Sequence, residues 1–135
     1  YNMGDYFSHW IEMGKLLGEN APKIFSVNWF RTDENGKFIW PGFGDNIRVL
    51  EWILNRCENS ANAKKTPIGY IPYAEDINLE DASVSEKSLE KLLEIDTDLW
   101  KKESKNIEEF YKIFKEHLPD ELKKELTNLK NRLDK

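Results

Sequence analysis

Cysteine is almost missing from this chain: among 135 residues only Cys57 carries a thiol. That excludes an intramolecular disulfide and fits a reducing compartment, so a cytoplasmic location is expected. Histidine is scarce as well. His9 and His117 fall in separate expected helices with no ligand partner at zinc- or manganese-type spacing, so no metal site is expected among these residues. No apolar run is long enough to span a bilayer and no secretory leader is recognisable, which argues against a membrane partner. Basic charge is short too: 20 Lys+Arg face 25 Asp+Glu, a net charge of -5. Residues 1–100 carry 10 basic against 17 acidic groups, and residues 101–135 carry 10 against 8. Neither stretch is a basic footprint for nucleic acid. The first residue is Tyr1, not Met, and a periodic apolar pattern begins almost at once. Both features lead us to expect a piece of a longer protein.

What is present is a folded composition, 39% hydrophobic and 33% charged, with five Trp, five Tyr and seven Phe. Tyr6, Trp10, Met13 and Leu17, with Phe7 and Ile11 beside them, predict an amphipathic helix over 5–17, ended by Gly18 and Pro22. Phe25, Val27 and Trp29 alternate, which predicts a strand over 23–30. The Asn35-Gly36 pair then predicts a hairpin turn, because both residues tolerate positive φ. The return strand covers 37–40 and stops at Pro41-Gly42. A second helix is expected from an Asp45 N-cap, burying Ile47, Leu50, Ile53, Leu54 and Cys57. Residues 58–65 read as a polar connection. Pro67 and Pro72 confine 66–73 to an edge or to irregular structure. Residues 75–98 hold nine acids and two lysines and read as solvated loop with a short helix, Ser83 and Glu86 having capping-box spacing. Asp96 or Thr97 is expected to cap a helix reaching His117, and Pro119 to open a last helix lined by Leu122, Leu126, Leu129 and Leu133. The element order predicts an α+β fold: a small antiparallel hairpin or mixed sheet packed with helices, followed by a helical tail.

The chemistry-bearing stretch is Trp29-Phe30 with Phe38-Ile39-Trp40-Pro41-Gly42-Phe43-Gly44-Asp45-Asn46. Glycines on both sides of Phe43 allow a sharp turn and a close approach to a ligand. Phe30, Phe38 and Phe43 can supply walls for a purine, at roughly 1–3 kcal/mol per stacked base. Asn46 has a donor and an acceptor for a base edge, and its place in the first helical turn puts free N–H groups and a positive helix end nearby. Guanine offers an acceptor at O6 where adenine offers a donor, so guanine suits such a site better. From spacing alone a plain core role for these aromatics outweighs a binding role. Gly42-Phe43-Gly44 is also not a dinucleotide fingerprint, and no G-x-x-x-x-G-K-[ST] string occurs.

Ala21-Pro22-Lys23-Ile24-Phe25-Ser26-Val27-Asn28-Trp29-Phe30-Arg31, then Phe38 through Ile53, then Thr66-Pro67-Ile68-Gly69-Tyr70-Ile71-Pro72, resemble the GTP-dependent phosphoenolpyruvate carboxykinases. Tyr1 through Tyr6 with His9-Trp10 resemble the helix that precedes these blocks. The likeness is specific over 21–73 and looser over 75–135. It implies that the chain is one segment of a larger carboxykinase C-terminal domain: a helix over 1–20, a guanine-binding core over 21–73, and an acidic loop with helical tail over 74–135. It implies a guanine pocket of Phe30, Phe38 and Phe43, nucleotide contacts from the loop Phe43, Gly44, Asp45 and Asn46, and base-edge reading by Asn46, with Asp45 standing where some members carry Glu. Trp29 and Trp40 are expected as pocket supports. The implied activity is that of a decarboxylating lyase of gluconeogenesis, converting oxaloacetate and GTP to phosphoenolpyruvate, GDP and carbon dioxide with Mn²⁺ or Mg²⁺. The phosphate loop, metal ligands and substrate arginines are expected elsewhere, so the segment alone is expected to be inactive, with no catalytic residue here. The intact enzyme is expected to be a monomer, and a piece separated from it is open to self-association. The alternative is a non-catalytic interaction module using the aromatic surface. Cys57 and His9 are expected to pack as inert residues, His117 to sit at its helix C-terminus, and Glu75, Asp76, Glu80 and Asp81 to form a solvated loop without the EF-hand pattern.

Overall fold

The computed structural model describes residues 2–135; Tyr1, the first residue of the family-like opening, lies outside the described residues. The fold is α+β. In chain order it contains α1 (Met3–Leu17), α2 (Asn46–Cys57), β1 (Lys64–Thr66), β2 (Gly69–Ile71), α3 (Glu86–Leu93), α4 (Thr97–Tyr111) and α5 (Asp120–Leu133), with short 3-10 turns between them. The described residues divide into two compact units, one formed by the chain up to Pro22 with 96–135, the other by Lys23–Ile95.

The first unit is helical. Asn2 caps α1 by accepting from the Gly4 N–H at 2.7 Å, and Gly18, at φ 52°, ends it. The buried side of α1 differs from the expected stripe. Tyr6, Trp10 and Leu17 are exposed, while Phe7 and Ile11 turn inward and Phe7 meets Phe114 edge-on at 5.4 Å. Gly4 explains the shift: a Cβ there would stand 2.3 Å from the His117 carbonyl oxygen, so α1 approaches His117 closely along the Gly4 side. Asp96 caps α4 by accepting from the Leu99 N–H at 3.0 Å. Pro119 stands at the N-cap of α5 instead of its first turn. Pairs of Lys130 with Glu108 (2.9 Å) and Lys101 with Asp134 (3.0 Å) lace α4 to α5 in antiparallel register.

The second unit holds the core of Trp40, Trp52, Ile77, Val84 and Leu89, with Phe25, Trp29, Val49 and Ile53 against it. Here the expected strand over 23–30 does not form. The segment is extended, but its alternation serves packing: Phe25 meets Trp52 edge-on at 6.2 Å, and Trp29 lies 6.3 Å from Trp40. Apart from one isolated bridge between Thr32 and Phe38, the described pairing lies in β1 and β2, an antiparallel hairpin whose turn is Pro67-Ile68. Pro67 fits because a turn position spares it a ladder N–H. Helix α2 also buries a different face from the one expected. Trp52 is its buried residue, with Val49 and Ile53 beside it, while Ile47, Leu50, Leu54 and Cys57 are exposed. Two apolar stripes compete on this helix, and the indole, with the larger apolar surface, takes the core. The cap of α3 is Ser85, accepting from the Ser88 N–H at 3.2 Å, and not Ser83. Buried Val84 and Leu89 occupy hydrophobic-staple positions about that cap.

Candidate functional site

Phe30 and Phe38 are set by a carboxylate-built turn. Asp33 Oδ1 accepts from the backbone N–H of Asn35 at 2.9 Å and of Lys37 at 3.0 Å. Those donors, Lys37 first, hold the Asp33 carboxyl below its usual range. Gly36 supplies φ 76°, but Asn35 does not adopt positive φ, so the expected paired left-handed turn is not formed. The Asp33 N–H donates to the Lys37 carbonyl at 2.8 Å and the Ile39 N–H to the Arg31 carbonyl at 2.9 Å. This register brings the Phe30 and Phe38 rings together, 5.8 Å apart and inclined at 63°. Both stay open to solvent, 70% and 57% exposed. Arg31 reaches the Leu92 and Glu94 carbonyls at 3.0 and 3.3 Å, tying this turn to the end of α3.

The loop entering α2 carries the other residues. Gly42 takes φ 78°, and Phe43 itself takes φ 49°, a left-handed conformation that costs a bulky residue about 1–2 kcal/mol. Its ring is 95% exposed and meets no other aromatic ring among the described residues. A 3-10 turn over Phe43–Asp45 precedes α2, and this overturns two expectations. Asp45 makes no side-chain cap; its Oδ1 instead pairs with Arg48 Nε at 3.0 Å. The N–H groups of Asp45 and Asn46 are not free either, since they donate to Gly42 and to Phe43 and Gly44 carbonyls. The added turn consumes those donors and moves the unpaired end of the helix back toward Phe43 and Gly44. Arg48, not singled out from the sequence, also donates to the carbonyls of Asn78 at 2.7 Å and Glu80 at 2.7 Å. It thereby fastens the loop to the 78–81 segment.

Trp40 makes the second link that sequence reasoning missed. Its buried indole Nε1–H donates to Asn46 Oδ1 at 2.8 Å. Asn46 itself is half-buried. An open groove of about 450 Å³ is lined by Pro41, Gly42, Phe43, Gly44, Asp45, Arg48, Asp81 and Ser83. The structure thus brings Phe43, Gly44 and Asp45 to one groove, Phe30 and Phe38 to one ring pair, and Asn46 to Trp40. Phe30, Phe38 and Asn46 do not line that groove.

The remaining candidates behave differently. Cys57 is exposed, not buried. His9 is exposed, and His117 pairs through Nδ1 with Asp5 at 2.9 Å. No group of three or more His, Cys, Asp or Glu among the described residues is placed to hold a metal ion. No described helix is long and apolar enough to cross a membrane.

Residues 1–132 match the family model described as the phosphoenolpyruvate carboxykinase C-terminal P-loop domain. The chain is 48% identical over 134 residues to a phosphoenolpyruvate carboxykinase [GTP] of Chlamydia abortus, covering 98% of this chain and 22% of that protein. It is 48% identical over 136 residues to the Treponema pallidum protein of the same name, covering 99% and 22%, and 46% identical over 134 residues to that of Renibacterium salmoninarum, covering 98% and 22%. The chain spans about 22% of the length of these relatives.

Proposed function

This chain belongs to the GTP-dependent phosphoenolpyruvate carboxykinase family, and from that premise we propose that Phe30, Phe38 and the Phe43–Asn46 loop together receive the guanine base of GTP or GDP. The observation that carries this reading is an exposed, strained Phe43 three residues from a carboxamide with no described partner for its Nδ2 group. Open aromatic faces supply stacking, and an amide donor suits a carbonyl on the base edge. In the native full-length protein the reaction is the conversion of oxaloacetate and GTP to phosphoenolpyruvate, GDP and carbon dioxide. The segment's part is base selection. Contacts to phosphates, to Mn²⁺ or Mg²⁺ and to the substrate carboxylates come from residues outside this set. On this reading the segment supplies base selection and the remainder of the site supplies the reacting groups.

Replacing Asn46 by Ala in the native full-length protein tests the reading. The KM for GTP should rise about tenfold or more, the cost of a lost hydrogen bond to a buried base edge, while the KM for oxaloacetate stays near its parent value. Equal effects on both substrates would count against a base-reading role. A second reading rests on the exposed Ile47, Leu50 and Leu54 along α2, which give an apolar face suited to protein contact or self-association of the separated segment. Sedimentation of the 135-residue chain across concentration tests it: a single monomeric species throughout would reject it.

A further inference from the structure

We propose that Trp40 is the positioning residue that decides which end of the Asn46 carboxamide faces a bound base, and so sets selectivity for a 6-oxo over a 6-amino purine. The inference rests on the reading that this surface takes a nucleobase. Its premise is a donor-only partner. An indole N–H has no acceptor capacity, so the atom of Asn46 at 2.8 Å from Trp40 Nε1 must be the carbonyl oxygen. Asn side chains are otherwise free to exchange their two ends by rotation, and the neighbouring network decides between them. Rotation here would set an NH₂ group against the indole N–H and leave a buried donor unpaired. Trp40 is 5% exposed and packed in the core with Trp52, Val84 and Leu89, so its ring does not turn away to relieve that conflict. The consequence is an Asn46 presenting its Nδ2 hydrogens, with no described residue accepting them. A ring carbonyl at the purine 6-position accepts such a hydrogen. An exocyclic amine there points donor at donor.

The test uses the native full-length protein with Trp40→Phe, which keeps an aromatic ring and removes the N–H. A second form carries β-(3-benzothienyl)alanine at position 40, where sulfur replaces N–H in a ring of nearly the same shape. Turnover is read with GTP, ITP and ATP as alternative phosphoryl donors, and folding by circular dichroism. Both changes should lower the preference for GTP and ITP over ATP by about tenfold, the factor equivalent to one hydrogen bond. The KM for oxaloacetate should not move. The double variant Trp40→Phe with Asn46→Asp should lose little beyond Asn46→Asp alone, because the two residues act as one unit. A parallel fall with all three nucleotides in the benzothienyl form would overturn the positioning role and leave Trp40 as packing. If Asn46→Asp leaves the GTP-to-ATP preference intact, the nucleobase reading of the site itself fails, whatever Trp40 does.

Discussion

Phe43 holds a conformation that its own side chain resists. A φ of 49° is easy for glycine and costly for a benzyl group, and the ring gains no burial in return. Strain held without packing at a candidate binding loop is the pattern expected where the ring's position serves a ligand. Phe43→Gly should therefore raise stability by about 1 kcal/mol in thermal unfolding while weakening guanine nucleotide binding. A fall in melting temperature would show that the ring stabilises the fold after all. Asp33 makes a second prediction at this scale. Its folded pKa is depressed by the N–H groups of Lys37 and Asn35, so its contribution to the turn is full above the unfolded aspartate pKa. That contribution is lost as pH falls through the lower folded value. Carboxyl NMR titration of Asp33 should show that depressed midpoint, with the Lys37 amide losing exchange protection over the same range. An Asp33 midpoint at the ordinary aspartate value would remove the carboxylate from its place in the turn.

Among the elements, helix positions and two of the ends, Asp96 and Gly18, were legible, while the Asp45 and Ser83 caps, helix faces and strand pairing were not. Asp96, Gly18 and the leucines of α5 sit where capping preference and 3.6-residue spacing put them, because those signals are local. The face of α2 is a long-range choice: two stripes of similar apolarity exist, and the one bearing Trp52 won the core. Phe25 and Trp29 read as alternate residues of a strand, yet a strand needs a partner backbone, and these rings pack on Trp52 and Trp40 instead. Ser83 was the expected cap, but Ser85 is the one used, flanked by buried Val84 and Leu89. Substitution separates the two serines. Ser85→Ala should cost about 1 kcal/mol of stability in chemical unfolding and Ser83→Ala close to nothing. The reverse order would place the start of α3 two residues earlier. At the candidate site the aromatic residues and Asn46 were proposed from composition and resemblance. The Trp40–Asn46 and Asp45–Arg48 links were not, since each depends on where a side chain points once the 3-10 turn has formed.

Across the whole molecule, each of the two units has its own apolar interior, and the candidate base-binding residues all fall within Lys23–Ile95. That unit presents Phe30, Phe38, Phe43 and the Ile47–Leu50–Leu54 face outward. Family relatives carry this segment as about 22% of their length. The central claim is spatial: the base of the nucleotide lies against residues 30–46. Photolabelling of the native full-length protein with 8-azido-GTP, followed by peptide mapping, reads that position directly. The account predicts a GTP-protectable adduct on the peptide spanning Phe30 to Asn46; protectable labelling found only on other peptides would contradict it.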